Sequence, residues 1–249
     1  MRLESEKVDF TYAAYTKLIS LLRENNYELC GYNDYAMHSR CAILRHDVDY
    51  CLEKALRLAD LENSLNVIST YFILLSSDFY NVASKKDRDI ICDIAKSGHK
   101  IGLHFDEKVY NLSDNAGFEE RVEKERFILS NLLDLEVNAV SMHRPSKETL
   151  AADYKFKNAV NSYSEIFFKE FKYLSDSRSN WREPVLDIIK SNLYNRLHIL
   201  VHSFWYSEDG VTPSRALREF VKSANKERYH ELKGNIRDIN EFMEESEVQ

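Results

Sequence analysis

Residues 41–49, CAILRHDVD, are apolar at the start and charged at the end, and their reading decides the fold. Residues 41–47 suit a buried β-strand whose polar tail emerges at one end of a sheet. Upstream, residues 9–26 place Phe10, Ala14, Leu18, Leu21 and Leu22 at helical spacing, which predicts an amphipathic opening helix. Downstream, residues 50–61 are rich in Leu and Ala at helical spacing, and residues 67–75, VISTYFILL, are β-branched and aromatic. That predicts a helix and then a buried strand. The alternation continues with a helix over 85–97, a strand over 100–105, a long charged helix over 118–133 and a strand over 137–143. Weaker strands are expected near Val160 and over 173–176, a helix opening near Pro184, and a clear strand over 197–205. Thr212 and Pro213 fit an N-cap and a first helical position, starting a closing helix through about Lys226. Strands separated by helices need crossover connections, so the sheet is parallel. About seven such units in one chain favour a distorted α/β barrel over an open sheet.

Composition narrows the classes. The chain has 249 residues, with 34 Lys and Arg against 41 Asp and Glu, a net charge of −7. Such a surface does not suit phosphate neutralisation, so no nucleic-acid partner is expected. A hydrophobic content of 44% with 12% aromatics fills a sizeable core and excludes a disordered chain. There is no repeat, low-complexity run or linker, and one domain over residues 1–249 is the expectation. No apolar run approaches the roughly 20 residues of a transmembrane helix. Residues 1–10, MRLESEKVDF, interleave charges where a signal peptide carries an unbroken apolar stretch, which points to a cytoplasmic protein. Cys30, Cys41, Cys51 and Cys92 form no CxxC pair and read as reduced, mostly buried thiols.

In parallel α/β folds, working groups collect where strands end and loops begin. Here those ends are unusually polar: Arg45 to Asp49 after the first, His104 and Asp106 after the third, His143 to Pro145 after the fourth, then Asp176 and His202. Carboxylates and imidazoles meeting at one mouth are what a divalent cation such as zinc needs, since it accepts oxygen and nitrogen together. Each residue also has a structural alternative. Asp47 and Asp49 could be a turn or cap pair, His104 a satisfied core histidine, and His143 a loop residue bonded to backbone. His202 would share a buried strand face with Leu200 and Phe204. His46 and His99 are read as structural.

Taken in order, these motifs resemble those of the polysaccharide deacetylase family, which includes chitin and peptidoglycan deacetylases, over residues 40–206. RHDVD at 45–49 resembles the family's first motif, with Asp47 as catalytic base and Asp49 as metal ligand. GHKIGLHFD at 98–106 resembles the second, making His104 a ligand. The family's further His ligand lies four residues on, where this chain has Lys108, and His143 in HRPS is the substitute candidate. LSDSRSNW at 174–181 resembles the motif whose Asp and Trp support the active-site wall and orient the acid, roles that fall to Asp176 and Trp181. LHILVH at 197–202 resembles the last motif, making His202 the general acid. Arg144, Trp181 and Trp205 are the substrate-binding candidates.

The resemblance implies a distorted parallel barrel of about seven units and a divalent metal, foremost zinc. It also implies hydrolysis of an acyl group from an amino sugar or glycan precursor by metal-activated water. Asp47 would take the proton and His202 would give one to the departing amine. Two rivals stand beside it. One is a barrel that has lost chemistry and binds carbohydrate or a protein partner, with Lys108 as the mark of that loss. The other takes His46 and Asp47 as the His-Asp pair of metal-dependent phosphohydrolases, which is carried on a helix, whereas CAILRHD reads as a strand. An intracellular substrate would be a nucleotide-linked or lipid-linked amino sugar.

Overall fold

A computed structural model describes residues 8–110 and 115–248. Of the N-terminal stretch behind the compartment expectation, residues 1–7 lie outside the described residues. Two compact units divide the chain, Met1–Glu208 and Asp209–Gln249.

The first unit opens with α1 (Tyr12–Glu24), N-capped by Thr11, whose hydroxyl accepts from the Ala14 N–H. It buries Tyr15, Leu18, Ile19 and Leu22. The chain then runs β1 (Glu28–Cys30), β2 (Cys41–Val48), α2 (Leu52–Ser64), β3 (Thr70–Ile73), α3 (Lys85–Lys96), β4 (Lys100–Asp106) and α4 (Asn115–Leu133). It continues through β5 (Val137–His143), α5 (Lys147–Ala151), β6 (Val160–Asn161), α6 (Ile166–Lys169), β7 (Lys172–Ser175), α7 (Val185–Ser191) and β8 (Arg196–Val201). The second unit holds α8 (Pro213–Asn235), capped by Thr212 with Pro213 in its first turn. Its Tyr229 hydroxyl donates to Asn240 Oδ1.

Every ladder is parallel, in the order β6-β5-β4-β3-β2-β8-β7, with β1 pairing the first half of β2. This curled sheet with flanking helices is the expected distorted barrel. Among the described residues no ladder joins β6 to β7, which stand at the two ends of the strand order. β1, three residues long, has no counterpart in the sequence reading. Two strands are shorter than expected because their backbone groups bond elsewhere. Leu74 N–H donates to the Tyr80 hydroxyl instead of extending β3. His202 N–H donates to both Asp176 carboxylate oxygens, ending β8 at Val201, and Ser203–Trp205 is a 3-10 turn rather than strand. α8 outruns its expected end by nine residues, since past Lys226 its sequence is polar and only Ala216 and Tyr229 on it are buried.

Strand alternation divides the core. Ala42 and Leu44 of β2 join Leu197, Ile199 and Val201 of β8 beneath α1 and α7. Leu103 and Phe105 of β4 and Val140 and Met142 of β5 pack among Ile91, Ile94, Val122 and Leu129 of α3 and α4. Cys41, Ile43, Phe72 and Ala139 fill the barrel floor with Phe167 and Phe171. Gly102 is required there: a Cβ would stand 2.5 Å from the Phe72 ring. All four cysteines are free, Cys30 and Cys41 buried and Cys51 and Cys92 partly so. No described helix is long and apolar enough to cross a membrane.

Candidate metal centre

The inward positions toward the carboxyl ends of the strands are polar. Asp47, Asp49, His104, Asp106, His143 and His202 line one cavity of about 820 Å³. Arg45, two residues before Asp47 on the same face of β2, is fully buried beneath them. Its Nη2 donates to Asp47 Oδ2 at 2.8 Å and to the Ser141 hydroxyl at 2.9 Å, and its Nη1 to the Ser162 hydroxyl at 2.8 Å. Burial favours the neutral acid at Asp47, but the Arg45 guanidinium outweighs it and holds the carboxyl below its ordinary range. Asp47 is therefore an anion whenever the protein is folded near neutrality.

Asp49, His104 and His143 form the centre of the site. Asp49 Oδ1 lies 3.2 Å from His104 Nε2 and 3.2 Å from His143 Nδ1, and the two nitrogens are 3.2 Å apart. Three lone-pair atoms thus make an equilateral triangle at the cavity floor. Donor atoms about 2.0–2.1 Å from a tetrahedral zinc ion lie about 3.3–3.4 Å from each other, so the triangle has the size of one face of such a site. Two imidazoles with one carboxylate are a borderline donor set, suited to zinc and its first-row neighbours more than to magnesium or calcium. The residues present fit a divalent metal.

His202 faces this triangle, its Nε2 3.9 Å from Asp49 Oδ2. Its Nδ1 donates to Asp176 Oδ1 at 2.6 Å. Burial works against the imidazolium, but the Asp176 hydrogen bond and charge prevail and push the His202 pKa up to about 9. Asp176 itself is fully buried and lies behind His202 rather than on the cavity wall, so it acts by positioning.

The structure brings together Asp47, Asp49, His104, His143, Asp176 and His202, and places Arg144 and Trp205 on the cavity wall. Arg144 is ion-paired to Asp106. Trp181 is partly buried against the apolar cluster around α1 and α7, which includes Tyr206, and it is not among the residues lining the cavity. Lys108 sits exposed on the 3-10 turn Glu107–Val109, off the cavity wall. His202 shares the cavity wall with Leu200, whereas Phe204 belongs to the 3-10 turn, because the strand has already ended. His46 points to the other side of the sheet from Asp47, toward Glu62 at 2.9 Å, which removes the His-Asp phosphohydrolase alternative. Sequence reasoning missed Arg45 as the partner of Asp47. The signal was there: residues 45, 47 and 49 alternate on one strand face.

No family model matches the sequence, and no curated protein does. Solved structures do. A CE4 family pseudoenzyme from Bacillus anthracis is 12% identical with a TM-score of 0.44 over 75% of this chain and 60% of its own. A polysaccharide deacetylase from Bacillus cereus is 16% identical with a TM-score of 0.41, over 74% of this chain and 88% of its own. A family 4 carbohydrate esterase from Bacillus anthracis is 15% identical with a TM-score of 0.42, over 88% and 90%. The chain spans about three fifths of the pseudoenzyme's length. At these identities and scores the likenesses carry nothing about chemistry, and the fold stands on its own strand order.

Proposed function

We propose that this chain is a metal-dependent hydrolase that removes an acyl group, foremost acetyl, from the nitrogen of an amino sugar or glycan precursor, with zinc as the ion. The observation that carries this reading is the Asp49, His104, His143 triangle with an ionised Asp47 and an Asp176-held His202 beside it. Asp49, His104 and His143 would hold a divalent cation, which would supply polarisation of an acyl carbonyl and a lowered pKa of water. Asp47 Oδ2 lies 3.8 Å from His104 Nε2, while His202 approaches from the Asp49 corner. Base and acid therefore reach the reacting amide from different corners of the triangle. Asp47 accepts the proton of the attacking water, and Arg45 fixes its carboxylate in orientation. His202, with Nδ1 committed to Asp176, presents Nε2–H to the departing nitrogen.

The test is metal analysis of the full chain together with amine release from N-acetylated amino sugars. One ion per chain and metal-dependent amine release are expected, with D49A and H104A losing both. H202A should keep its metal and lose turnover by roughly 10²–10⁴-fold. A stoichiometric ion without amine release would instead support a barrel that only binds carbohydrate, and no ion at all would remove the hydrolase reading.

A further inference from the structure

Most charged groups on the cavity wall are engaged within the protein. Asp47 is paired with Arg45, Asp49 lies against the two histidines, and Asp106 is paired with Arg144. Two wall residues, Arg178 and Arg182, have no hydrogen-bond or ion-pair partner for their guanidinium groups among the described residues. Their acidic neighbours are already engaged, Glu183 by Lys172 at 2.6 Å and Asp176 by His202. The remaining unpaired acid of the wall, Asp78, follows β3, which is separated from β7 by β2 and β8 in the sheet order.

The loop carrying these arginines is built, not loose. Asn180 N–H donates to the Asp176 carbonyl and Arg182 N–H to that of Ser175. Its backbone is held left-handed at two successive residues, Arg178 (φ 61°) and Ser179 (φ 53°). That conformation costs side-chain-bearing residues about 1–2 kcal/mol each and persists where the surroundings impose it. The exposed arginines leave the same loop whose Asp176 orients His202, which ties their backbone to the acid.

We propose that Arg178 and Arg182 form an anion subsite for a phosphate or pyrophosphate borne by the substrate, making it a phosphorylated acylamino sugar rather than a neutral glycan. This rests on the hydrolase reading for the reacting end but concerns different residues. Two forked guanidiniums suit a multiply charged oxyanion, whereas a carboxylate would be matched by one.

The experiment is calorimetric binding to the full chain, using UDP-N-acetylglucosamine, a short polyprenyl-pyrophosphate N-acetylglucosamine in micelles, and neutral N-acetylglucosamine. Each is measured on wild type, on D49A to remove any contribution of phosphate to a metal, and on R178A/R182A. The expected result is binding of a phosphorylated sugar at least about tenfold tighter than the neutral one, retained in D49A and lost in R178A/R182A. R178K/R182K should recover only part of it. Preference between the two phosphorylated probes identifies a nucleotide or a lipid carrier. Equal affinity for neutral and phosphorylated sugars, or phosphate affinity untouched in R178A/R182A, overturns the proposal. Metal content is read separately: unchanged in R178A/R182A, it separates failure of this subsite from failure of the metal centre.

Discussion

Two histidine-carboxylate clusters lie back to back across β2, built from alternate residues of one RHDVD stretch. On the inner face, Asp47 and Asp49 meet His104, His143 and His202. On the outer face, His46 meets Glu62, whose buried carboxylate also accepts from the Tyr15 hydroxyl at 2.5 Å, the Ser69 hydroxyl at 2.6 Å and the Tyr71 hydroxyl at 2.7 Å. His99 completes it, bonding Ser69 and the Ala59 carbonyl. The residue types are alike, yet the outer carboxylate is saturated by donors and sealed, while the inner triangle brings three potential ligand atoms to within 3.2 Å of one another on a cavity wall. Ligand atoms gathered at a cavity, rather than the presence of His and Asp, separate a metal site from a structural network.

Breaking either cluster should therefore have opposite consequences. The largest effect is expected inside: D49A should abolish metal binding and hydrolysis yet shift the metal-free protein's urea midpoint little, measured by elemental analysis and denaturation. Outside, E62A strands His46 and three hydroxyls in a buried site and should cost roughly 3–5 kcal/mol of stability in urea titration, with metal stoichiometry kept. Loss of metal in folded E62A would show that the two faces are not independent.

The outer cluster also gives a pH signature. Burial pushes the Glu62 carboxyl up, but His46, His99 and the hydroxyl of Ser69 outweigh it and hold it at about 2. A folded-state value below the ordinary 4.5 contributes stability that is present above about pH 4.5 and lost as pH falls toward 2, roughly 3 kcal/mol in all. Wild type should weaken over that window in acid titrations, and E62Q should show a flatter profile. The smallest effect belongs to K108A, which should change neither metal content nor stability by more than about 0.5 kcal/mol, because Lys108 is exposed on its turn. Impaired metal binding in K108A would bring that side chain back into the site.

The strand and helix alternation was legible because each strand is short and apolar between helices with clear spacing; β5 has the expected ends, Val137 and His143. β1 was not, since three residues, ELC, carry no period. The inner cluster was legible residue by residue, and His143 stands in the triangle where Lys108 left a gap in the motif. Arg45 has only its alternation with Asp47 and Asp49 as a signal, and the roles of Arg178 and Arg182 have no sequence signal of their own, since an arginine looks the same in sequence whether it is buried, faces solvent or lines a cavity. For Trp181 a motif gives a position in the chain but not what the ring packs against, which is the cluster around α1 and α7.

Anomalous diffraction at the zinc edge from zinc-loaded crystals of the full chain would test the metal centre most directly. One peak touching Asp49, His104 and His143 is the predicted result. A peak elsewhere, or none in crystals holding zinc in solution, would contradict it.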